Sequence, residues 1–435
     1  MAQTHLLSGD VRALTLKIAA PSVAAMLASS ACQLFEALVL SGRDASLSAA
    51  VGASFALILL EQTVGFTLGM GAGSFISRCI GQGKREAAEQ AAGAAFFAAL
   101  GLSLLLLLAG FCFAAPLLRL LGAPESAVAA GVPYARSVLV SGPPLCCALV
   151  LSSLLRAQGK TWPNMAAALV GSSLGAALLF FLCVRLNLGA YGAGVAMLAR
   201  ETATLAVLLV YALRHAELIR PSLRRARFTL PVFAAIMRSG LPTLLRQGAT
   251  SLSAALLSRV SAGFGAPVLA GMGLCARAVM PFTSAVIGFG QGFQPVCGAA
   301  FGAGQISRCR RAYRFCQRVA AVFSLVVGLT VLFCAPALAA RFAPDAPTAE
   351  VARRALRLQS AVFFAQSAVI LMTMLTQAMG LTLRASLVAT SRQALFFLPL
   401  LLILPRVFGL WGLLACQSVS DLVALGFSFL LTRKI

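Results

Sequence analysis

The chain has 435 residues, of which 60% are hydrophobic and only 11% charged, with 35 Lys and Arg against 12 Asp and Glu for a formal charge of +23. Soluble domains carry roughly 25% charged residues, so this composition excludes a soluble globular protein and points to a membrane. The cations sit in short loops between apolar blocks, which excludes a nucleic-acid partner and sets them against anionic membrane lipid.

Hydrophobic stretches between loops predict about twelve helices, roughly 14–40, 47–76, 88–115, 127–155, 163–184, 190–213, 231–262, 266–299, 312–340, 351–378, 386–404 and 409–431. Most approach the roughly 20 residues that cross the hydrocarbon core. Strand-like alternation is absent, so the backbone is satisfied within helices. The fold class is an all-α polytopic membrane protein. The first helix keeps Arg12 and Lys17 and is followed by no small-residue cleavage site, so it is read as retained. It carries Gln33 and Glu36, and the second carries Glu61, Gln62, Gly65, Gly69 and Gly73.

The helix breakers recur at a spacing of about 220 residues. Pro21 returns as Pro242, Gly69 and Gly71 as Gly290 and Gly292, and Gly81 and Gly83 as Gly302 and Gly304. Pro116/Pro336, Pro124/Pro344, Gly159/Gly380, Gly189/Gly409 and Gly192/Gly412 continue the series, with the acids Glu125/Asp345 and Glu201/Asp421. Two parallel copies of one bundle predict a transporter with its site between the halves. The connection 214–228 contains Pro221 and five arginines. It separates an N-terminal six-helix bundle (1–213) from a C-terminal one (229–435).

Alternate loops collect the cations. One side holds Arg78, Lys84, Arg85, Arg156, Lys160, Arg214, Arg220, Arg224, Arg225 and Arg227, then Arg308, Arg310, Arg311, Arg314, Arg318, Arg384, Arg433 and Lys434. The other holds mainly Arg43, Arg119, Arg185, Arg341 and Arg406, with Arg353, Arg354 and Arg357 near one helix start. The positive-inside rule makes the chain a multi-pass cell-membrane protein with both termini cytoplasmic.

Twelve cysteines lie scattered without a C-x-x-C, mostly in apolar spans, and read as small hydrophobes. The two histidines, His5 and His215, are far apart and form no metal site. No cofactor is expected and no clustered acids or histidines indicate an enzyme. A carboxylate in hydrocarbon is paired, protonated or functional. Glu36, Glu61, Glu201 and Asp421 qualify, with Arg200, Arg246, Arg259 and Arg277 as available counter-charges. The Gly65, Gly69, Gly73 and Gly288, Gly292 spacings suit close helix packing, and equally suit helices that bend or slide.

Several motifs in this order resemble the multidrug and toxic compound extrusion (MATE) transporters over nearly the whole length. Lys17, Pro21 and Cys32-Gln33-Leu34-Phe35-Glu36 match the family's first-helix pattern, and Gly69 to Arg78 running into Gly81-Gln82-Gly83-Lys84-Arg85-Glu86-Ala87 its second. Leu155-Arg156-Ala157-Gln158-Gly159-Lys160, Gly240-Leu241-Pro242, Gly288 to Gly298, Ser391-Arg392-Gln393 and Gln417-Ser418-Val419-Ser420-Asp421 follow. The resemblance implies a monomeric cation-coupled antiporter of two bundles around a central cavity, exporting amphipathic or cationic drug-like organic compounds. It also puts a coupling-ion site at Glu36, where prokaryotic members with an N-terminal cation site carry aspartate, together with Gln33. Their polar partners in helix five align with Gly175 and Leu179, which cannot ligate a cation, and the acids that another branch places in helices seven and ten are absent. Sodium needs several oxygens whereas a proton needs one carboxylate, so proton coupling is favoured over sodium. Expected cavity residues are Gln62, Glu61, Gln247, Gln291, Gln294 and Arg277. The rival reading is a lipid-linked-precursor flippase of the same architecture, which would need Arg246, Arg259 and Arg277 to converge on the cavity.

The loop charges predict the outcome of cysteine labelling from outside the cell. Cysteines placed at Arg43 and Asp345 should react with an impermeant reagent, and those at Lys84 and Arg225 should not. The opposite pattern would reverse the topology.

Overall fold

The computed structural model describes residues 6–41, 45–120, 125–215, 218–222, 229–343 and 345–433. Arg43, Pro124, Arg224, Arg225, Arg227, Pro344, Lys434 and most of the predicted linker lie outside them.

The first half consists of α1 (Val11–Ser41), α2 (Ala45–Gly81), α3 (Arg85–Cys112), the short α4 (Ala114–Leu120), α5 (Glu125–Ala157), α6 (Trp162–Leu179) and α7 (Gly189–Arg214). The second consists of α8 (Leu230–Gly263), α9 (Ala266–Gly302), α10 (Ile306–Phe342), α11 (Ala346–Ala361), α12 (Phe363–Ala378), α13 (Thr382–Thr390) and α14 (Phe397–Thr432). Together they make twelve spans in two six-span bundles. α11 and α12 form the tenth span, bent by 54°. α13 and the start of α14 form the eleventh, and Gly409, at φ 56°, separates it from the twelfth.

Three spans depart from regular helix. The tenth span breaks at Val362, where the sequence predicted one helix over 351–378. Its first arm carries Glu350, which accepts from Arg353 and Arg354, and charges of this density do not enter hydrocarbon. Asp345 caps that arm by accepting from the Thr348 N–H at 2.8 Å, and hydrogen bonding from Thr348 holds its carboxyl below the usual range. The fifth span ends in a π-helical stretch, Phe180–Arg185, and the eleventh is interrupted by another, Ser391–Leu395. Such π turns rotate the following side chains out of α register.

The predicted repeat appears as repeated neighbours. In the first half α1 packs on α6, α2 on α3 and α5, and α3 on α5. In the second, α8 packs on α13, α9 on α10 and on the α11–α12 span, and α10 on that same span. These are the same span pairs in the same order. The halves meet through α1 against α9, α2 against α8, and α2 against α9.

That interface is built on glycine. A Cβ on Gly71 would stand 2.4 Å from the Ile236 carbonyl oxygen and 3.1 Å from Gly240 Cα. Its repeat mate Gly292 lies against Ala19, where a Cβ would meet Cα at 2.3 Å. Gly81 and Gly302 form a second reciprocal pair, the first against the Ala299 carbonyl and the second against that of Arg78. Within the bundles, Gly69 seats Ser153 and its mate Gly290 seats Met374. The backbones cross where no side chain intervenes.

The end bearing Arg78, Lys84 and Arg308, here the basic face, is tied across the halves. Arg78 donates to the Gln377 and Ala378 carbonyls and, at 2.8 Å, to the Ser239 hydroxyl. Arg308 donates to the carbonyls of Leu6, Ser8 and Gly9, fixing the segment before α1. Leu6 is buried in a core that joins Ile76, Leu154, Phe293, Val296 and Ala378 from both halves.

The reading of all cysteines as unbridged hydrophobes is corrected at one pair. Cys297 and Cys309 form a disulfide, because the turn between α9 and α10 folds their helix ends together, with Cα atoms 4.8 Å apart. Cys32, Cys79, Cys146, Cys147, Cys183, Cys275, Cys316 and Cys416 are buried and form no disulfide among the described residues.

Overpacking a filled site costs about 1–3 kcal/mol. Gly71→Ala and Gly302→Ala should therefore lower the thermal midpoint of the detergent-solubilised protein, whereas Gly101→Ala, with nothing within 4 Å of its Cβ, should not. Equal behaviour of the three would refute close packing as the role of the paired glycines.

Candidate transport cavity

Two adjoining pockets lie where the bundles meet. The pocket on the first half has a volume of about 220 Å³ and is lined by residues of α1, α2, α5, α6 and α7, with Met280, Ser284 and Gln291 of α9. The pocket on the second half, about 490 Å³, is lined from α8, α9, the tenth span, the eleventh and Gln417. Gln62, Met280 and Ser284 line both. Ser30 and Ser284 bridge the halves there by a 2.6 Å hydrogen bond.

The chemistry of the first pocket centres on Arg200. Its Nε donates to Glu201 Oε1 at 2.8 Å and its Nη1 reaches Glu36 Oε2 at 3.4 Å. The side chains are 10–19% exposed, so solvent screens these contacts little. One guanidinium thus serves two carboxylates. Arg200 reaches this place because α6 yields it space: a Cβ on Gly175 would lie 2.9 Å from Arg200 Cβ and 3.2 Å from its Cγ and Cδ. The absent helix-five side chain is the channel through which the arginine stem runs. Gln33 lines the same pocket, as does Arg156, which donates to Ser152 and Ser153.

The second pocket holds a different charge set. The π turn in the eleventh span brings Arg392 and Gln393 to its wall. Arg392 Nε donates to Asp421 Oδ1 at 2.6 Å, and Gln417 adds a bond to the same oxygen at 2.9 Å. Ser253 of α8 donates to the Gln393 carbonyl and holds the turn against its neighbour. Arg246 and Gln247 of α8 face the pocket alongside Gln359 and Gln366. Glu201 and Asp421, repeat mates, are both arginine-paired, but the arginines come from non-equivalent positions.

The structure brings Gln33, Gln62, Gln247 and Gln291 to the two pockets. Glu36 stands behind the first pocket, in contact with Arg200. Gln294 instead donates to Gln377 at 3.2 Å, and Gln377 donates to Ser239 and Thr243, so it belongs to the basic-face network beside a void of about 20 Å³. Two more expected lining residues also lie outside the two pockets. Arg277 is exposed on α9, and Glu61 is 1% exposed against Gly142, with neither carboxylate oxygen hydrogen-bonded among the described residues. Sequence reading missed Arg392 as a cavity residue. The rule that singled out acids inside apolar spans applies equally to bases, and would have found it.

This geometry defines a transporter of two parallel bundles with a polar cavity between them. The MatE family model matches residues 21–181 and 242–403, one match per half, and the chain belongs to that family. A curated relative, multidrug export protein MepA of Staphylococcus aureus strain N315, is 22% identical over 396 residues, covering 90% of this chain and 87% of its own. An outward-facing multidrug resistance MATE family transporter of the MOP superfamily superposes with a TM-score of 0.93 at 23% identity, over 99% of this chain and 96% of its own. A Pyrococcus furiosus MOP superfamily transporter, for which reverse polarity of the binding pocket is said to suggest a different function, gives 0.93 at 23% over 99% and 97%.

Removing one partner of a buried ion pair costs about 3–5 kcal/mol. Arg200→Gln strands Glu36 and Glu201 together and should lower the thermal midpoint markedly. Glu36→Gln leaves Arg200 with Glu201 and should lower it less. Equal shifts would show that Arg200 is not shared between the two acids.

Proposed function

We propose that this chain exports amphipathic, drug-like organic compounds by alternating access of the central cavity, driven by proton entry at the Glu36 cluster. The carrying observation is the charge count around Arg200. Two carboxylates face one guanidinium, so the cluster holds one negative charge in excess, and a single proton neutralises it. Glu36 is the more weakly held of the two acids, at 3.4 Å against 2.8 Å for Glu201, and is the one assigned to exchange. Arg200 lines the substrate pocket, so a change at Glu36 is felt where a substrate binds. That the curated relatives are multidrug export proteins supports the substrate class. The walls suit it too: the larger pocket sets Met272, Met280 and Phe397 beside a few glutamines, an adaptable surface with scattered polar anchors.

The bundles tied at the basic face support a cavity closed toward that side in this conformation. With the loop charges, that side is read as cytoplasmic, both termini included, and the connection 214–228 as the joint between halves. The transporter acts as a monomer in this reading. Of the arginines a lipid-linked-precursor flippase would need, Arg246 lines the cavity, whereas Arg259 and Arg277 are exposed.

Glu36→Gln removes ionisation while keeping shape. In proteoliposomes with an imposed proton gradient it should abolish coupled efflux of a fluorescent substrate, and Glu36→Asp should retain it with an altered pH profile. Glu201→Gln and Asp421→Asn should act mainly through expression and stability. Full proton-driven efflux by Glu36→Gln would overturn the assignment, and a sodium gradient that drives the wild type without a proton gradient would replace the ion.

A further inference from the structure

We propose that the larger pocket binds the anionic group of its substrate, with Arg246 as the principal contact, so that the preferred cargo is an amphipathic organic anion such as a carboxylate or sulfonate. This deepens the export reading and rests on the central cavity being the substrate site.

Arg246 and Arg392 both line the pocket of about 490 Å³, and no carboxylate does so among the described residues. Arg392 has its counter-charge, since Asp421 behind the wall accepts from it at 2.6 Å. Arg246 has none: its side chain makes no ion pair or hydrogen bond to any described residue. The pocket therefore carries one uncompensated positive charge at membrane depth, where an isolated charge is costly and marks a functional site.

The remaining polar lining is compatible with an anion. Gln247 and Gln393 flank the arginines in sequence and line the same pocket, and Thr250 stands one helical turn beyond Arg246. Amides and hydroxyls donate as readily as they accept. A guanidinium presents a planar fork of donors that fits carboxylate and sulfonate oxygens in paired hydrogen bonds. A cationic ligand placed here would add a second uncompensated positive charge to that of Arg246. The sequence-based expectation of cationic compounds is therefore revised for this half of the cavity.

Two probes that share a fluorophore and differ in charge test the assignment: dansylglycine, an anion, and dansylcadaverine, a cation. The full chain is placed in nanodiscs of neutral phosphatidylcholine, and binding is read from dansyl fluorescence after subtraction of empty nanodiscs, with no ion gradient. Dansylglycine should bind at least about tenfold more tightly than dansylcadaverine, the scale of one charge-assisted contact. Arg246→Lys should keep the preference, Arg246→Gln should erase it, and Arg246→Glu should invert it. Equal or tighter binding of dansylcadaverine by the wild type would overturn the proposal, and that comparison needs no variant to fold. Unchanged dansylglycine affinity in Arg246→Gln would overturn it as well, as would signal no greater than that of empty nanodiscs. Preference for the anion without gradient-driven efflux would instead sink the coupled-export reading and leave this one standing.

Discussion

Everything in this molecule depends on two helix pairs being able to cross at backbone contact. α1 against α9 and α2 against α8 meet where Gly292 faces Ala19 and Gly71 faces Gly240, positions that the repeat makes equivalent. No net hydrophobic force draws helices together within lipid, so this close approach supplies the packing that holds the halves. It also leaves that seam without bulky side chains to interlock. An interface of flat backbone can hold two bundles firmly and still permit one arrangement to be exchanged for another.

On this symmetric frame the chemistry is unsymmetric. Glu201 and Asp421 occupy matched sites, yet Arg200 adjoins the first in sequence while Arg392 comes to the second from another span. Glu36 adds a second carboxylate to the Arg200 cluster behind the first pocket, whereas Arg246 adds a guanidinium to the wall of the second. Two copies of one bundle have thus come to carry different sets of charges beside one cavity.

Much of the frame was legible in the chain. Helix breakers recurring at fixed spacing gave the two bundles, and apolar run lengths gave the spans, because both follow from backbone needs that residue type alone reports. The paired fate of Glu201 and Asp421 was foreseeable on the same grounds. What sequence could not give was rotation about a helix axis. Arg246 and Arg277 looked alike as bases in apolar spans, and only the structure turns one into the cavity and the other outward. The π turn at Ser391 changes the phase of its span, so helical periodicity misplaces Arg392. Gln294 looked like an anchor for substrate and is spent on Gln377, a partner 83 residues away.

Gly175 began as a gap in a ligand set and ends as the groove of an arginine stem. A cation on a covalent tether has an effective concentration fixed by bond geometry, not by the surrounding medium. It cannot dissociate, compete with potassium or be depleted when the external solution changes. The acids beside it therefore hold a permanent counter-ion.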